Sequence, residues 1–228
     1  MGRLVALAAV ALAAAVAVRW LVTRVDALGR TRPFPAVAVA LPLFVAVAVG
    51  VPVVRTGRLE HRLSAVASEL AGRTVTVHCA GTGESFVHAG SDLGHVDVTA
   101  DGTPVDRAVL QHEVCTDLRH WLGSLGDRTP DARPDVAGAV AVHVLTHEAM
   151  HLRGLLDETA AECAAVQRDA AAARLLGAPD AQARRAARTY WLVVYPTMPE
   201  PYRTGACVPG SALDERLPDA PWADAAAG

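Results

Sequence analysis

The chain contains no lysine, no isoleucine and no asparagine. These three amino acids have AT-rich codons, so their joint absence reads as the mark of a GC-rich genome and carries no functional message. Aromatic residues are scarce, at 4%. No basic patch with interleaved aromatics occurs, and the formal net charge is only −3. The electrostatic footprint of a nucleic-acid-binding protein is therefore missing. The four cysteines, Cys79, Cys115, Cys163 and Cys207, form no CxxC pair, which excludes a zinc ribbon or a thioredoxin-like redox motif. No internal repeat is visible.

Long apolar runs, by contrast, are present. Leu4 to Val18 is uninterrupted and extends past Arg19 through Val22, and Ala36 to Val54 is a second run without charge. A membrane span needs about 20 apolar residues. Arg19 can snorkel to the interface, Trp20 suits that depth, and Pro42 and Pro52 are tolerable in a membrane helix. The expected anchor is a two-helix hairpin over 1–58, with spans at about 4–22 and 36–54. The alternatives are a signal peptide followed by one span, since Met-Gly-Arg and a short apolar stretch resemble its first two regions, or a buried soluble hairpin. Arginine counts do not orient the hairpin. Four lie in the loop between the runs (Arg19, Arg24, Arg30, Arg32), and Arg3, Arg55, Arg58 and Arg62 flank the other ends. An even number of cysteines, all beyond the apolar region, suits two disulfides in an oxidising compartment. That places the C-terminal domain outside the cell membrane. Three pairings are open, of which Cys115–Cys163 with Cys79–Cys207 is the one expected. Four buried free thiols are the alternative.

From residue 59 to 228 the composition is mixed, and the patterns predict a mainly α (α+β) domain. Leu59, Leu63, Val66 and Leu70 recur at helical spacing. Thr74–Cys79 and His95–Thr99 alternate as two short strands, with a Gly/Ser-rich loop over 81–94 between them. A helix is expected from Pro104 to about Leu122, then a loop to Pro134. The next helix, Val136–Arg153, has Asp135 as N-cap and Gly154 as terminator. A helix from about Leu156 or Asp157 to Leu176 and another over Asp180–Val194 follow, before a Pro-rich irregular tail.

The chemistry is concentrated at His147-Glu148-Ala149-Met150-His151, an HExxH pattern on the Val136–Arg153 helix. Residues four apart share a helix face, so two imidazoles can bind one zinc ion together. Glu148 projects beside the metal and can take a proton from its water and return it to a leaving amine. Accident can produce such a pattern. However, Val144, Leu145 and Leu152 make this a core helix, where a charged cluster needs a partner or a metal. His143, one turn earlier, is an extra ligand, a partner for a ligand histidine, or an ordinary satisfied histidine. His112-Glu113 begins the same pattern but lacks its second histidine.

Catalytic zinc usually takes three protein ligands and a water. The downstream candidates are Asp157, Glu158 and Glu162. For an antiparallel return after Gly154, a metal level with residue 149 lies about 7.5 Å before the turn, whereas Glu158 returns about 3 Å and Glu162 about 9 Å. Distance thus favours Glu162 as ligand, with Glu158 bonding a ligand histidine or exchanging roles with it. The motif with Glu158-Thr-Ala-Ala-Glu162 resembles the gluzincin branch of zinc metallopeptidases, in which a glutamate-bearing helix follows HExxH, often with a second acid four residues after the ligand. That resemblance implies Glu158 as ligand, although the interval from His151 is shorter than in the familiar peptidases. His147–His151, Leu152-Arg153-Gly154, Asp157-Glu158, Ala161-Glu162-Cys163 with Gln167, and Tyr202–Cys207 also resemble a group of actinobacterial membrane-anchored HExxH proteins. This second likeness covers most of the domain and implies no particular activity.

The expected function is a membrane-anchored zinc peptidase acting on peptide or protein substrates, with Glu148 as general base. Oligomeric state is not indicated. An oxyanion-stabilising group is also required, and Tyr195, Tyr202, Arg203 and His143 are the candidates. The alternatives are a non-catalytic zinc-stabilised sensor or assembly domain, or a disulfide-stabilised ectodomain with a fortuitous motif. An intramembrane protease is disfavoured, because the motif helix is apolar only from Val136 to Leu145, too short to span.

Overall fold

The computed structural model describes residues 2–26, 28–81, 93–126 and 134–223. Most of the loops expected over 81–94 and 123–134 lie outside these residues. By internal contacts the chain divides into Met1–Arg58 and Leu59–Gly228.

The first unit contains α1 (Gly2–Thr23) and the opening part of α2 (Ala36–Ala71). Both helices are long and apolar enough to cross a membrane. Only 6% of the apolar window of α1 and 0% of that of α2 is buried. The core helix of a soluble protein would be mostly buried, whereas the apolar surface of these two is largely exposed. Small residues bring the helices close: a Cβ on Gly2 would meet Val53, and one on Gly50 would meet Ala6. The connecting loop is ordered by Asp26, whose Oδ1 accepts from the backbone N–H of Leu28 and Arg30. Trp20 donates its indole N–H to the carbonyls of Arg32 and Pro33 and meets Phe34 edge-on.

The second unit is mainly helical, with one small sheet of β1 (Thr76–Cys79), β2 (Gly94–Val98) and β3 (Pro104–Leu110). The strand order is β1-β3-β2, with β1 parallel and β2 antiparallel to β3. The helix expected from Pro104 is therefore a third strand as far as Leu110, and α3 begins only at His112 (His112–Gly123). The physical reason is a change of period. Ala108 and Leu110 are buried two apart, whereas Val114, Cys115, Leu118 and Trp121 are buried at helical spacing.

Helix α4 (Val136–Arg153) has its ends where the sequence places them. Asp135 accepts from the N–H of Gly138, and Gly154 adopts the left-handed conformation at φ 107° that a side chain resists. The helix expected over 157–176 is broken into α5 (Glu158–Val166) and α6 (Asp169–Leu175). Side chains take over at the break: Gln167 donates to the Cys163 carbonyl and Arg168 to that of Ala164. Helix α7 (Asp180–Thr189) continues into a π turn, Tyr190–Val194, rather than running on as α-helix.

The four cysteines form two disulfides, as expected, but neither expected pair is the one formed. Cys79 joins Cys115, and Cys163 joins Cys207, with Cα separations of 5.9 and 5.5 Å. Cys79 ends β1 beside Leu110, where the chain turns into α3 and brings Cys115 overhead. Cys163, buried with Tyr190, Tyr195 and Trp222 in a second apolar cluster, faces the C-terminal segment instead.

Candidate metal centre

Three elements converge on the motif: α4, the first turns of α5, and the edge strand β2. His147 and Glu148 are buried and His151 is half-buried on α4. His151 donates Nδ1–H to the Leu155 carbonyl at 2.7 Å, which leaves its Nε2 with a lone pair aimed at His147. The two Nε2 atoms stand 2.9 Å apart. Oε2 of Glu158 lies 3.2 Å from Nε2 of His147 and 3.4 Å from Nε2 of His151. Three atoms bound tetrahedrally to zinc at about 2.0–2.1 Å would stand about 3.3 Å from one another. The triangle is close to that size.

Glu162 lies on the other side of the His147 ring. Its Oε2 is 3.1 Å from Nδ1 of His147, off the line of a well-aligned hydrogen bond, and 3.0 Å from Nε2 of His143. His143, His147 and Glu162 form a second, fully buried group able to hold a metal ion, sharing His147 with the first. The set read from the sequence, His147, His151 and Glu162, is thus not gathered around one point. Helical spacing alone sets the metal level with mid-helix. The bond from His151 to Leu155 draws the Nε2 pair toward the turn, level with Glu158 instead.

Behind Glu162 is a buried polar network that the sequence reading missed. Tyr190 donates its O–H to Oε1 of Glu162 at 2.7 Å and stacks on His143 at 3.5 Å between ring centres. Nδ1 of His143 lies 2.9 Å from Oδ2 of Asp169. Asp169 falls on the same face as Glu158 and Glu162 at helical intervals, a signal available in the sequence. Tyr190 carries no such signal, since it arrives from the π turn.

Burial alone would lower the pKa of His143, but the charges of Glu162 and Asp169 outweigh it and raise it to about 10. His147 is likewise opposed by burial yet raised to about 9, chiefly through its contacts with Glu158 and Glu162. His151 is pushed down by burial and by the charge of His147. Burial would raise Glu162, but His143 and His147 hold it well below the usual carboxylate range. Glu158 is lowered chiefly by its bond with His147.

The outer triangle opens on a cavity of about 300 Å³ lined by Gly94, His95, Glu148, Leu156 and Tyr202, among others. A Cβ on Gly94 would come within 2.8 Å of Oε1 of Glu148, so a side chain there would shift that carboxylate. Of the four oxyanion candidates, only Tyr202 lines this cavity, its ring centre 5.9 Å from that of His147. His143 is enclosed by two carboxylates, and the Tyr195 hydroxyl donates to the Thr204 carbonyl and accepts from the Thr204 N–H. Arg203 lines a neighbouring depression with Trp191 and Tyr195. His112, on α3, belongs to neither metal-capable group.

No protein family, no curated protein and no solved structure matches the chain. The site's meaning rests on its own chemistry.

Proposed function

We infer that the domain is a zincin-like, zinc-dependent peptidase held at the cell membrane by α1 and α2, with the domain on the extracytoplasmic side. The observation that carries this reading is that Glu148 and the open triangle of His147, His151 and Glu158 line one cavity. Two imidazoles and a carboxylate suit zinc. The outer triangle is preferred over the inner group because it has access to a substrate. Asp169 and Tyr190 bond the far atoms of the inner group, Nδ1 of His143 and Oε1 of Glu162, and the group itself is fully buried and closed to a substrate. The disulfides support an oxidising compartment, and therefore the extracytoplasmic placement.

Zinc supplies Lewis acidity when bound there, polarising a water and a substrate carbonyl. Glu148 takes the proton released by the attacking water and delivers it to the departing amine. Its carboxylate is kept in the cavity by the absence of a side chain at Gly94. Tyr202 lines the same cavity and is the residue we assign to donate a hydrogen bond to the carbonyl oxygen as negative charge develops there. Among the described residues β2 is an edge strand beside the cavity, so an extended peptide can lie along it.

The test is cleavage of a peptide mixture by the full chain in detergent. Activity is expected to need zinc and to fall about 10²–10⁴-fold in Glu148→Gln, the usual worth of a general base, while the metal stays bound. A metal-loaded wild type that cleaves nothing, or Glu148→Gln with full activity, would leave a non-catalytic metal domain as the correct reading.

A further inference from the structure

Glu162, His143, Asp169 and Tyr190 form a chain of contacts that begins at His147 and runs away from the cavity. Glu162, His143 and Asp169 are among the most buried polar residues of the domain, at 1%, 3% and 1% exposed. Such groups are costly unless partnered. Each contact is with a complementary group. Asp169 faces one nitrogen of His143, Glu162 faces the other, and the Tyr190 hydroxyl donates to the remaining oxygen of Glu162. The Tyr190 ring lies flat on His143, with 10° between the planes. Both nitrogens of His143 meet carboxylates, so its ring donates at both ends and Glu162 is a pure acceptor. Its Oε2 then lies 3.1 Å from Nδ1 of His147, as a charge beside that ring rather than an aligned hydrogen bond.

We propose that this network is a permanent frame which binds no metal and presets His147 with Nε2 toward the cavity, with His143 as its central positioning residue. The proposal rests on the reading of the outer triangle as the metal site. The parts come from three separate elements: His143 from α4, Glu162 and Asp169 from α5 and α6, and Tyr190 from the π turn after α7. Folding assembles the frame before any metal arrives. The domain therefore does not depend on metal for its fold. A carboxylate behind a ligand histidine typically accounts for 10–100-fold in metal affinity. Here that carboxylate is itself fixed by two further donors.

The experiment measures zinc affinity by chelator competition on the full chain in detergent, together with the visible spectrum of the cobalt-substituted protein and the circular dichroism of the metal-free protein. His143→Gln and Asp169→Asn remove links of the frame. Tyr190→Phe removes one hydroxyl and keeps the ring, so it is the variant best able to fold. The frame predicts one metal per chain in every variant. It also predicts affinity about 10–100-fold weaker in His143→Gln and about fivefold weaker in Tyr190→Phe, the size of one buried hydrogen bond. The cobalt spectrum should shift, and the wild type should stay folded without metal. Unchanged affinity and spectrum in Tyr190→Phe and Asp169→Asn would overturn the frame while leaving the outer site intact. Two metals per wild-type chain, or a wild type that unfolds on chelation, would also overturn it. A folded wild type that binds no metal at all would remove the outer site itself.

Discussion

Glu158 and Glu162 stand one helical turn apart on α5, yet their surroundings assign them different work. Glu158 is partly exposed and touches both Nε2 atoms, whereas Glu162 is buried behind one ring. Glu158→Ala is accordingly expected to remove the metal, while Glu162→Gln weakens it about 10–100-fold without abolishing it; metal titration of the two proteins separates these outcomes. Gly94→Ala is expected to retain metal and lose most hydrolysis, because its Cβ would displace the Glu148 carboxylate. The same assay with normal activity would show that Glu148 does not work from its position in the cavity. His143 gives a pH signature in the metal-free protein. Its pKa rises from an ordinary 6.5 to about 10 on folding. Its stabilising contribution is therefore complete below pH 6.5 and disappears as pH rises through 10. Thermal melts of the metal-free chain should show a midpoint falling over that range, with a flatter profile in His143→Gln. The HExxH residues were legible in the sequence because helical spacing alone sets His147 and His151 together. The choice between Glu158 and Glu162 was not, because it turns on a hydrogen bond from His151 to a loop carbonyl that spacing does not encode.

At the scale of elements, the segment after the π turn acts as a strap over α5 and α6. It is tied by Cys163–Cys207 and by the Gln167 amide, which donates to the Leu213 carbonyl and accepts from the Glu215 N–H. Two ion pairs complete it, Arg168 with Glu215 and Arg174 with Asp219. The strap brings Tyr202 to the cavity. Replacing Cys163 and Cys207 together by alanine should cost about 2–5 kcal/mol of stability and lower turnover through loss of Tyr202. Denaturant melts and peptide cleavage on one preparation check both effects. The helix caps Asp135 and Gly154 were legible, since each acts within its own turn. The third strand and the disulfide pairing were not. β3 gains its conformation from pairing with β1 and β2, and each cysteine's partner depends on which faces of distant elements meet.

At the scale of the whole molecule, two apolar helices precede a disulfide-bonded domain, and the apolar windows were plain in the sequence from length and composition alone. The full chain is expected in the membrane fraction after alkaline washing, with its C-terminal domain digested when protease is added to intact protoplasts. Protection of that domain would reverse the orientation. The central claim is that one metal sits in the triangle of His147, His151 and Glu158, beside a base poised for hydrolysis. The most direct measurement is the zinc content of the purified full chain, wild type beside Glu148→Gln and Glu158→Ala. The account predicts about one zinc per chain in the first two, as expected for three protein ligands and an open position, and none in Glu158→Ala. A folded wild type that takes up no zinc, or a Glu158→Ala protein that keeps its full complement, would contradict it.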